Sequence, residues 1–296
     1  MNELRFINYM KKSIKYGKDV IRGIGDDTAV LRYSRNKHML FASDMLVEGV
    51  HFRKSDSYYK VGQKCVNVNV SDIASMGGTP SYLLVSVSMP RNTVSKKAKE
   101  LFRGIKFAAD KFGIDIVGGD TNKGDKLVVD ISLMGFAKSK QITFRNGAKP
   151  GDYIFVSGEL GQGGSKHLDF VPRLKESQLL TNKFKINSIM DVSDGLLIDL
   201  WRMAKESKVG VKLYKSLIPV SNEAASIDKA MVSGEEFELL CSISLKETKK
   251  IIKYIAKHNF PQMTLIGRMV TPKDGMYIIG DEGKKRVLKP EGYRHF

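Results

Sequence analysis

Residues 95–120 read SKKAKELFRGIKFAADKFGIDIVGGD, and this one stretch decides the class of the fold. Apolar residues such as Leu101 and Ile105 recur at helical spacing, so the first part predicts an amphipathic helix over 95–112. Gly113 is placed to end that helix as a C-terminal cap. The apolar run that follows predicts a buried strand, and two glycines then lead into Asp120. A helix that passes directly into a strand is the repeating unit of an α/β fold.

The same alternation extends in both directions from this stretch. In the first half, the pattern predicts strands at 39–43, 83–89, 114–117 and 127–136, and a helix at 58–77. A polar, turn-rich segment at 138–151 interrupts it. The second half then predicts strands at 153–156, 189–192, 237–243, 264–270 and 276–279, and helices at 195–207 and 246–258. We therefore predict two α/β domains with mixed sheets, an N-terminal domain over 1–137 and a C-terminal domain over 138–296.

The chain has 296 residues and a net charge of +17, but its lysines are scattered rather than gathered into a long basic block. This distribution favours solvated faces over a nucleic-acid surface, and we predict no nucleic-acid partner. The two cysteines have no metal-ligand spacing, which indicates buried thiols in a reducing compartment. No apolar run approaches the length of a membrane span, so we expect a cytoplasmic protein without a membrane partner.

Aspartate recurs where a predicted buried element meets a turn. These places are Gly25-Asp26-Asp27, Ala42-Ser43-Asp44, Val70-Ser71-Asp72, Gly118-Gly119-Asp120, Met190-Asp191 and Ser193-Asp194. A charge at the edge of a buried element costs free energy unless it is paired or binds a metal. Carboxylate oxygens with small neighbours suit Mg²⁺ rather than zinc. Clustered Mg²⁺ in turn indicates phosphate chemistry.

A glycine-rich segment at 158–166 follows a predicted strand and could hold a phosphate on free backbone N–H groups. It matches neither the Walker loop nor the dinucleotide-binding fingerprint. A plain turn between a strand and a helix is the favoured interpretation.

Taken in order, the motifs resemble those of the thiamine-monophosphate kinase family over nearly the whole chain. They are GIGDD at 23–27, SDMLVEGVHF at 43–52, NVSDIASMGG at 69–78, GGDT at 118–121, RNGAKPGD at 145–152, MDVSDGL at 190–196, SGEEFEL at 233–239 and GYRHF at 292–296. The VEGVHF stretch and the HF ending favour this branch over the related aminoimidazole ribonucleotide synthetases, selenophosphate synthetases and hydrogenase-maturation proteins.

The resemblance implies a two-domain fold of the aminoimidazole ribonucleotide synthetase type. It also implies a homodimer, in which the N-terminal domains pair their sheets into a barrel-like interface. The implied reaction is the ATP-dependent phosphorylation of thiamine monophosphate to thiamine diphosphate, with several Mg²⁺ ions and with ATP as co-substrate. No residue acts as a covalent nucleophile in this scheme.

The resemblance also assigns roles to residues. The implied metal ligands are Asp27, Ser43, Asp44, Asp72, Asp120, Asp191 and Asp194. The implied nucleotide contacts are Gly119, Asp120, Arg145 and Ser193. The implied contacts to the thiamine substrate are His51, Glu235 and Tyr293, and Asp26 is expected to support the ligands from behind.

Three residues depart from the family's pattern, namely Ala42, Ser233 and Arg294, and none of them is an implied metal aspartate. Two alternatives stay open. One is a related ligase that activates an amide or formyl oxygen with ATP. The other is a metal- and nucleotide-binding structural protein without catalysis, which the intact set of costly aspartates disfavours.

Overall fold

The structure is a computed structural model, and it describes residues 3–93, 95–258 and 262–295. The N-terminal half begins with helix α1 (Glu3–Ser13) and the short strands β1 (Val20–Arg22) and β2 (Ala29–Ser34). It continues with β3 (Lys37–Val47), α2 (Tyr58–Ser75), β4 (Thr79–Met89), α3 (Ser95–Phe112), β5 (Asp115–Lys123) and β6 (Val128–Lys138). The strands form one mixed sheet in the order β1-β2-β3-β6-β4-β5, in which only β4 and β5 pair in parallel among the described strands.

One face of this sheet carries the core, because alternate residues of a strand point to opposite sides. On β3, Leu40 and Leu46 are buried, whereas Phe41 and Met45 are exposed. Helix α2 covers the buried face, and α3 packs against α2. The two helices approach backbone to backbone, since a Cβ atom added at Gly104 would lie only 1.9 Å from the carbonyl oxygen of Tyr59.

The C-terminal half contains β7 (Tyr153–Ser157), α4 (Gly163–Lys166), α5 (Leu174–Lys183), β8 (Ser188–Asp191), α6 (Leu196–Ser207) and β9 (Gly210–Tyr214). It continues with α7 (Ile227–Val232), β10 (Leu239–Ile243), α8 (Leu245–Ile255), β11 (Met263–Val270), β12 (Met276–Ile279) and β13 (Lys285–Val287). These strands form a second mixed sheet in the order β13-β12-β9-β11-β7-β10-β8. The predicted fold class, mixed α/β with two sheets, is confirmed.

The predicted helix over 95–112 is present with the same ends, and Gly113 follows it with a left-handed φ of 67°. The segment 139–152 between the two sheets contains neither a helix nor a strand. The division of the chain at residue 137 stays a prediction, and the outer limits of the two domains, residues 1 and 296, lie outside the described residues.

Two expectations about local structure need correction. The aspartates were expected where elements meet turns, but Asp44, Asp72 and Asp120 lie inside β3, α2 and β5. The strand predicted from residue 237 begins only at Leu239, because Phe237 adopts a left-handed φ of 53° that a strand does not accommodate.

Both cysteines are buried and neither forms a disulfide, as the sequence predicts. Burial raises the pKa of the Cys65 thiol to about 12, so it stays protonated at neutral pH. Among the described residues, no helix has the length and apolar character that a membrane crossing requires.

Candidate functional site

Three aspartates from distant parts of the chain meet where the two halves touch. Asp27 lies in the loop between β1 and β2, Asp72 lies in the last turn of α2, and Asp191 is the last residue of β8. Their carboxylate oxygens lie within 4.8 Å of one another. The C-terminal end of a helix disfavours negative charge, so the position of Asp72 makes its ionised form still less favourable. A bound cation would therefore stabilise the three carboxylates.

A fourth carboxylate, Asp44 on β3, joins this cluster by a hydrogen bond to Asp72. Burial raises the pKa of Asp44 to about 6; the hydrogen bond with Asp72 opposes this rise, whereas the charges of Asp130, Asp194 and Asp27 add to it. Burial and the surrounding carboxylates also raise the pKa values of Asp72 and Asp191 well above their ordinary range. The hydroxyl of Ser71 donates to Asp191 at 2.5 Å and opposes that rise. The four carboxylates therefore resist being ionised together without a counterion.

Arg145 supplies one positive charge at the border of the cluster. Its Nη2 atom lies 2.5 Å from Asp27 Oδ1, and the Asp27 side chain is only 3% exposed. The Asp26 carboxylate accepts the backbone N–H of Arg145 at 3.0 Å, which fits its expected supporting role. Two buried atoms, Asp27 Oδ2 and Arg145 Nε, have no hydrogen-bond partner among the described residues. A free acceptor beside a free donor fits a site that takes both a cation and an anion.

A cavity of about 400 Å³ lies beside this cluster and is lined by both halves of the chain. It brings together eight of the residues that the sequence predicts for the site, namely Asp44, His51, Asp72, Asp191, Ser193, Asp194, Glu235 and Tyr293. Asp27 and Arg145 do not line the cavity. Asp27 belongs to the acid cluster, and Arg145 forms an ion pair with Asp27.

The structure places the other three predicted residues away from this cavity. Ser43 lies next to Asp44 on β3 but points to the opposite face, where its Oγ lies 3.2 Å from Asp130 Oδ1. Asp120 is exposed on β5, the edge strand of the sheet. Gly119 precedes it with a φ of 151°, and a Cβ atom there would lie 1.8 Å from the carbonyl oxygen of Val85. Their proposed roles in binding metal or nucleotide stay predictions.

His51 is held as a neutral hydrogen-bond donor. Its Nδ1 atom accepts the backbone N–H of Val47 at 3.0 Å, which leaves the proton on Nε2. Burial and the nearby Lys64 ammonium lower the pKa of His51 to about 4. At neutral pH the ring is therefore uncharged and presents one N–H group.

The C-terminal tail forms another part of the wall. The backbone N–H of Tyr293 donates to the carbonyl of Asp194 at 2.9 Å, and the Tyr293 ring meets His295 edge to face with centroids 5.0 Å apart. Phe296, the last residue of the predicted GYRHF motif, lies outside the described residues.

Two buried acids that the sequence analysis did not single out shape the surrounding loops. The Asp199 carboxylate accepts the backbone N–H groups of Ser193, Asp194 and Gly195 at 3.0 to 3.2 Å. Asp199 lies in the first turn of α6, where an acid is a common signal for this kind of bond.

Glu236 does the same for the glycine-rich turn, where it accepts the N–H groups of Gly161, Gln162 and Gly163. Those groups are therefore occupied rather than free for a phosphate, which supports the plain-turn interpretation of 158–166.

Lys64 is a further residue that sequence reasoning missed. It lies in the middle of α2 with its side chain only 1% exposed, and it lines the cavity. Burial lowers the pKa of its ammonium group, and the adjacent Glu235 carboxylate opposes that effect. Helical spacing places Lys64 on the apolar face of α2, three residues after Val61 and four before Val68, so the sequence signals its burial but not its partners.

Comparisons with known proteins identify the family of the chain. The family "AIR synthase related protein, N-terminal domain" matches residues 25–137, and the corresponding C-terminal domain family matches residues 166–279. The thiamine-monophosphate kinase of Buchnera aphidicola subsp. Schizaphis graminum is 33% identical, over 100% of this chain and 99% of its own. The Bacillus subtilis thiamine-monophosphate kinase is 30% identical, over the full length of both chains.

A solved structure described as AaThiL complexed with AMPPCP and TMP superposes with a TM-score of 0.86 at 29% identity. The match covers 100% of this chain and 97% of that one. Family models that together span most of the chain, and full-length relatives at 30% identity or more, lead to one conclusion. The chain belongs to the AIR synthase related protein family and, within it, to the thiamine-monophosphate kinases.

Proposed function

We propose that this protein transfers the γ-phosphoryl group of ATP directly to the phosphate of thiamine monophosphate, giving thiamine diphosphate and ADP. One observation carries the proposal: Asp27, Asp72 and Asp191 have carboxylate oxygens within 4.8 Å of one another, and two of them, Asp72 and Asp191, line a cavity between the two halves of the chain. Relatives that match over nearly their full length are thiamine-monophosphate kinases, and the superposed structure is described as AaThiL complexed with AMPPCP and TMP.

The acid cluster fits Mg²⁺. Carboxylate oxygens are the ligands this ion prefers, and Asp27 Oδ2 is buried without a partner among the described residues. Asp27, Asp72 and Asp191 would hold a first ion, with Asp44 beside them, and we assign further ions to Ser43, Asp120 and Asp194 on the family resemblance. Bound Mg²⁺ would cancel the repulsion between the anionic donor and the anionic acceptor.

The residues of this chain need only to position the reactants and stabilise charge. A phosphate acceptor is already ionised at neutral pH, so the reaction needs no strong base. This agrees with a cavity in which His51 is neutral and serves as a donor. We assign the ATP phosphates to Arg145, Ser193, Gly119 and Asp120, and the thiamine substrate to His51, Glu235 and Tyr293.

A thermal-shift experiment separates this proposal from its two alternatives. We expect ATP with Mg²⁺ to raise the melting temperature, and thiamine monophosphate to raise it further. A response to ATP and Mg²⁺ without any response to thiamine monophosphate would favour a related ligase. If both ligands raise the melting temperature but chromatography of the same mixture finds no thiamine diphosphate, a structural protein that has lost catalysis is favoured.

We also propose a cytoplasmic homodimer formed through the outer face of the N-terminal sheet. Phe41, Met45, Tyr82 and Leu84 are exposed on that face. Exposed apolar side chains gathered on one sheet face are typical of an interface. Light scattering at micromolar protein is expected to give twice the mass of the chain, and the mass of a single chain would contradict the dimer.

Substitution of Tyr293 tests whether its aromatic ring contacts thiamine monophosphate. A flat, cationic thiazolium is a good partner for an aromatic face, and such contacts contribute about 0.5 to 2 kcal/mol. Tyr293→Ala is therefore expected to weaken binding of thiamine monophosphate by roughly two- to thirtyfold, with little change for ATP. Tyr293→Phe is the matched control and should bind normally. A loss of thermal stability with unchanged substrate affinity would show that the ring only anchors the tail.

A further inference from the structure

Lys64 is the most deeply buried cation of the site, and each of its three ammonium hydrogens has an acceptor. Its Nζ atom lies 2.8 Å from the backbone carbonyl of His51 and 3.0 Å from His167 Nδ1, and it forms an ion pair with Glu235. Burying an ammonium group is costly unless it is fully paired. Complete pairing at 1% exposure indicates that the surroundings are built for this charge.

The three partners come from separate segments of the chain. His51 follows β3 in the N-terminal half, His167 follows α4, and Glu235 lies in the loop after α7. Lys64 itself projects from α2 into the cavity. One side chain therefore ties the N-terminal helix to two loops of the C-terminal half at the wall of the cavity.

The loop that carries Glu235 has a strained backbone. Glu235 and Phe237 adopt left-handed φ values of 63° and 53°, which cost free energy for any residue other than glycine. Among the described residues, two backbone hydrogen bonds join them to the neighbouring strand end, from Glu235 N to Ser193 O and from Phe237 N to Val192 O, and the Phe237 ring stacks on Phe170. A strained segment keeps its conformation only when its surroundings fix it. The ion pair with Lys64 is an additional anchor from the other half of the chain.

We propose that Lys64 is a positioning residue, which fixes the Glu235 carboxylate and the backbone at His51 so that both meet the substrate's thiamine end. Lys64 engages Oε1 of Glu235, and Oε2 lies 3.6 Å from His167 Nδ1. Glu235 is 33% exposed, so this carboxylate can accept a hydrogen bond from a donor group of the ligand. The inference rests on the proposed function, since both contacts are assigned to thiamine monophosphate there.

The test compares Lys64→Met with Lys60→Met. Methionine keeps the length and apolar stem of Lys64 but removes its three donors. Lys60 lies one turn earlier on α2 and makes an exposed ion pair with Asp169 at 2.8 Å, so it controls for loss of a charge between the same two halves. We expect Lys64→Met to raise KM for thiamine monophosphate about ten- to a hundredfold, because a buried charge-assisted bond is lost. KM for ATP should change by less than about twofold, as should both constants in Lys60→Met.

A double-mutant cycle tests whether Lys64 acts through Glu235. If it does, adding Lys64→Met to Glu235→Gln should raise KM for thiamine monophosphate clearly less than adding it to the wild type, and the rise that remains reflects the lost bond to the backbone carbonyl of His51. If the two substitutions raise KM for thiamine monophosphate by the full product of their single effects, Lys64 does not act through Glu235. Should Lys64→Met fail to fold, Lys64→Arg keeps the charge while its planar fork cannot reach all three acceptors, and the same rise in KM is expected.

Hydrogen exchange in the substrate-free protein gives a readout that does not depend on the reaction. In Lys64→Met, we expect the amides of residues 234–237 to exchange about tenfold faster or more, while those of α2 stay protected. A wild-type protein that does not phosphorylate thiamine monophosphate would remove the proposed function, but the exchange result would still decide whether Lys64 fixes the loop. Unchanged exchange together with unchanged KM would overturn the inference.

Discussion

Asp72→Asn and Asp191→Asn are each expected to lower turnover by about a hundredfold or more, on the scale of losing one preorganised charge stabiliser. Both side chains belong to the group of carboxylates that lie within 4.8 Å of one another, and an amide removes a negative charge from the ligand set. The measurement is kcat at saturating Mg²⁺, ATP and thiamine monophosphate. Asp110→Asn is the matched control, because Asp110 makes an exposed ion pair with Lys106 on α3. Near-normal turnover in either cluster variant would reject the metal assignment.

The same two variants should be at least as stable as the wild type in the absence of metal. The folded-state pKa of Asp44 is raised to about 6, and those of Asp72 and Asp191 are also raised, so at these three carboxylates the folded protein binds more protons than the unfolded chain above about pH 4, and this opposes the effect of the lowered pKa of His51. The unfolding free energy of the metal-free protein should therefore fall as pH rises from about 4 through about 6 and beyond. Denaturant unfolding in EDTA across this range checks the slope, which each asparagine substitution should flatten. A wild-type slope of the opposite sign would contradict the charge repulsion.

Arg145→Met is expected to cost roughly 3 to 5 kcal/mol of unfolding free energy without metal, because it leaves the Asp27 carboxylate buried and unpaired. Asp27 is only 3% exposed and lies beside other acids, so water cannot replace the guanidinium. Turnover should also fall by about a hundredfold, since the variant lacks a donor assigned to the ATP phosphates.

The control for this variant is Lys11→Met, which breaks an exposed pair with Glu206 at 3.2 Å and should cost at most about 1 kcal/mol. Adding Mg²⁺ should restore part of the stability of Arg145→Met, because a cation can take over the pairing of Asp27. A loss below about 1 kcal/mol in EDTA would show that Arg145 does not balance the cluster.

The sequence predicts best those parts of the fold in which apolar residues recur with a clear helical or strand period. The helix over 95–112 has an apolar stripe and a glycine cap, and it appears with the same ends. The helix α1, the strands β1, β2 and β9 and the helix α7 were not predicted. They are short or half-exposed, and their stability comes from packing on neighbours rather than from a local pattern.

The structure brings eight of the residues that the motifs indicated to one cavity, but the motifs did not show which way neighbouring side chains point. Ser43 and Asp44 were both assigned to metal, although adjacent residues of a strand point to opposite faces, and only Asp44 faces the cluster. That alternation is a signal which the sequence did contain. The roles of Lys64 and Glu236 could not be found in the same way, because they depend on partners distant in the chain, whereas Asp199 carries the signal of an acid in the first turn of a helix.

The most direct measurement is the formation of thiamine diphosphate from thiamine monophosphate and ATP, followed by chromatography in the presence of Mg²⁺ and K⁺. We expect one ADP for each thiamine diphosphate, and no product once EDTA has removed the divalent cation. An absence of thiamine diphosphate at micromolar enzyme, with both substrates and Mg²⁺ present, would contradict the assignment of this protein as an active thiamine-monophosphate kinase.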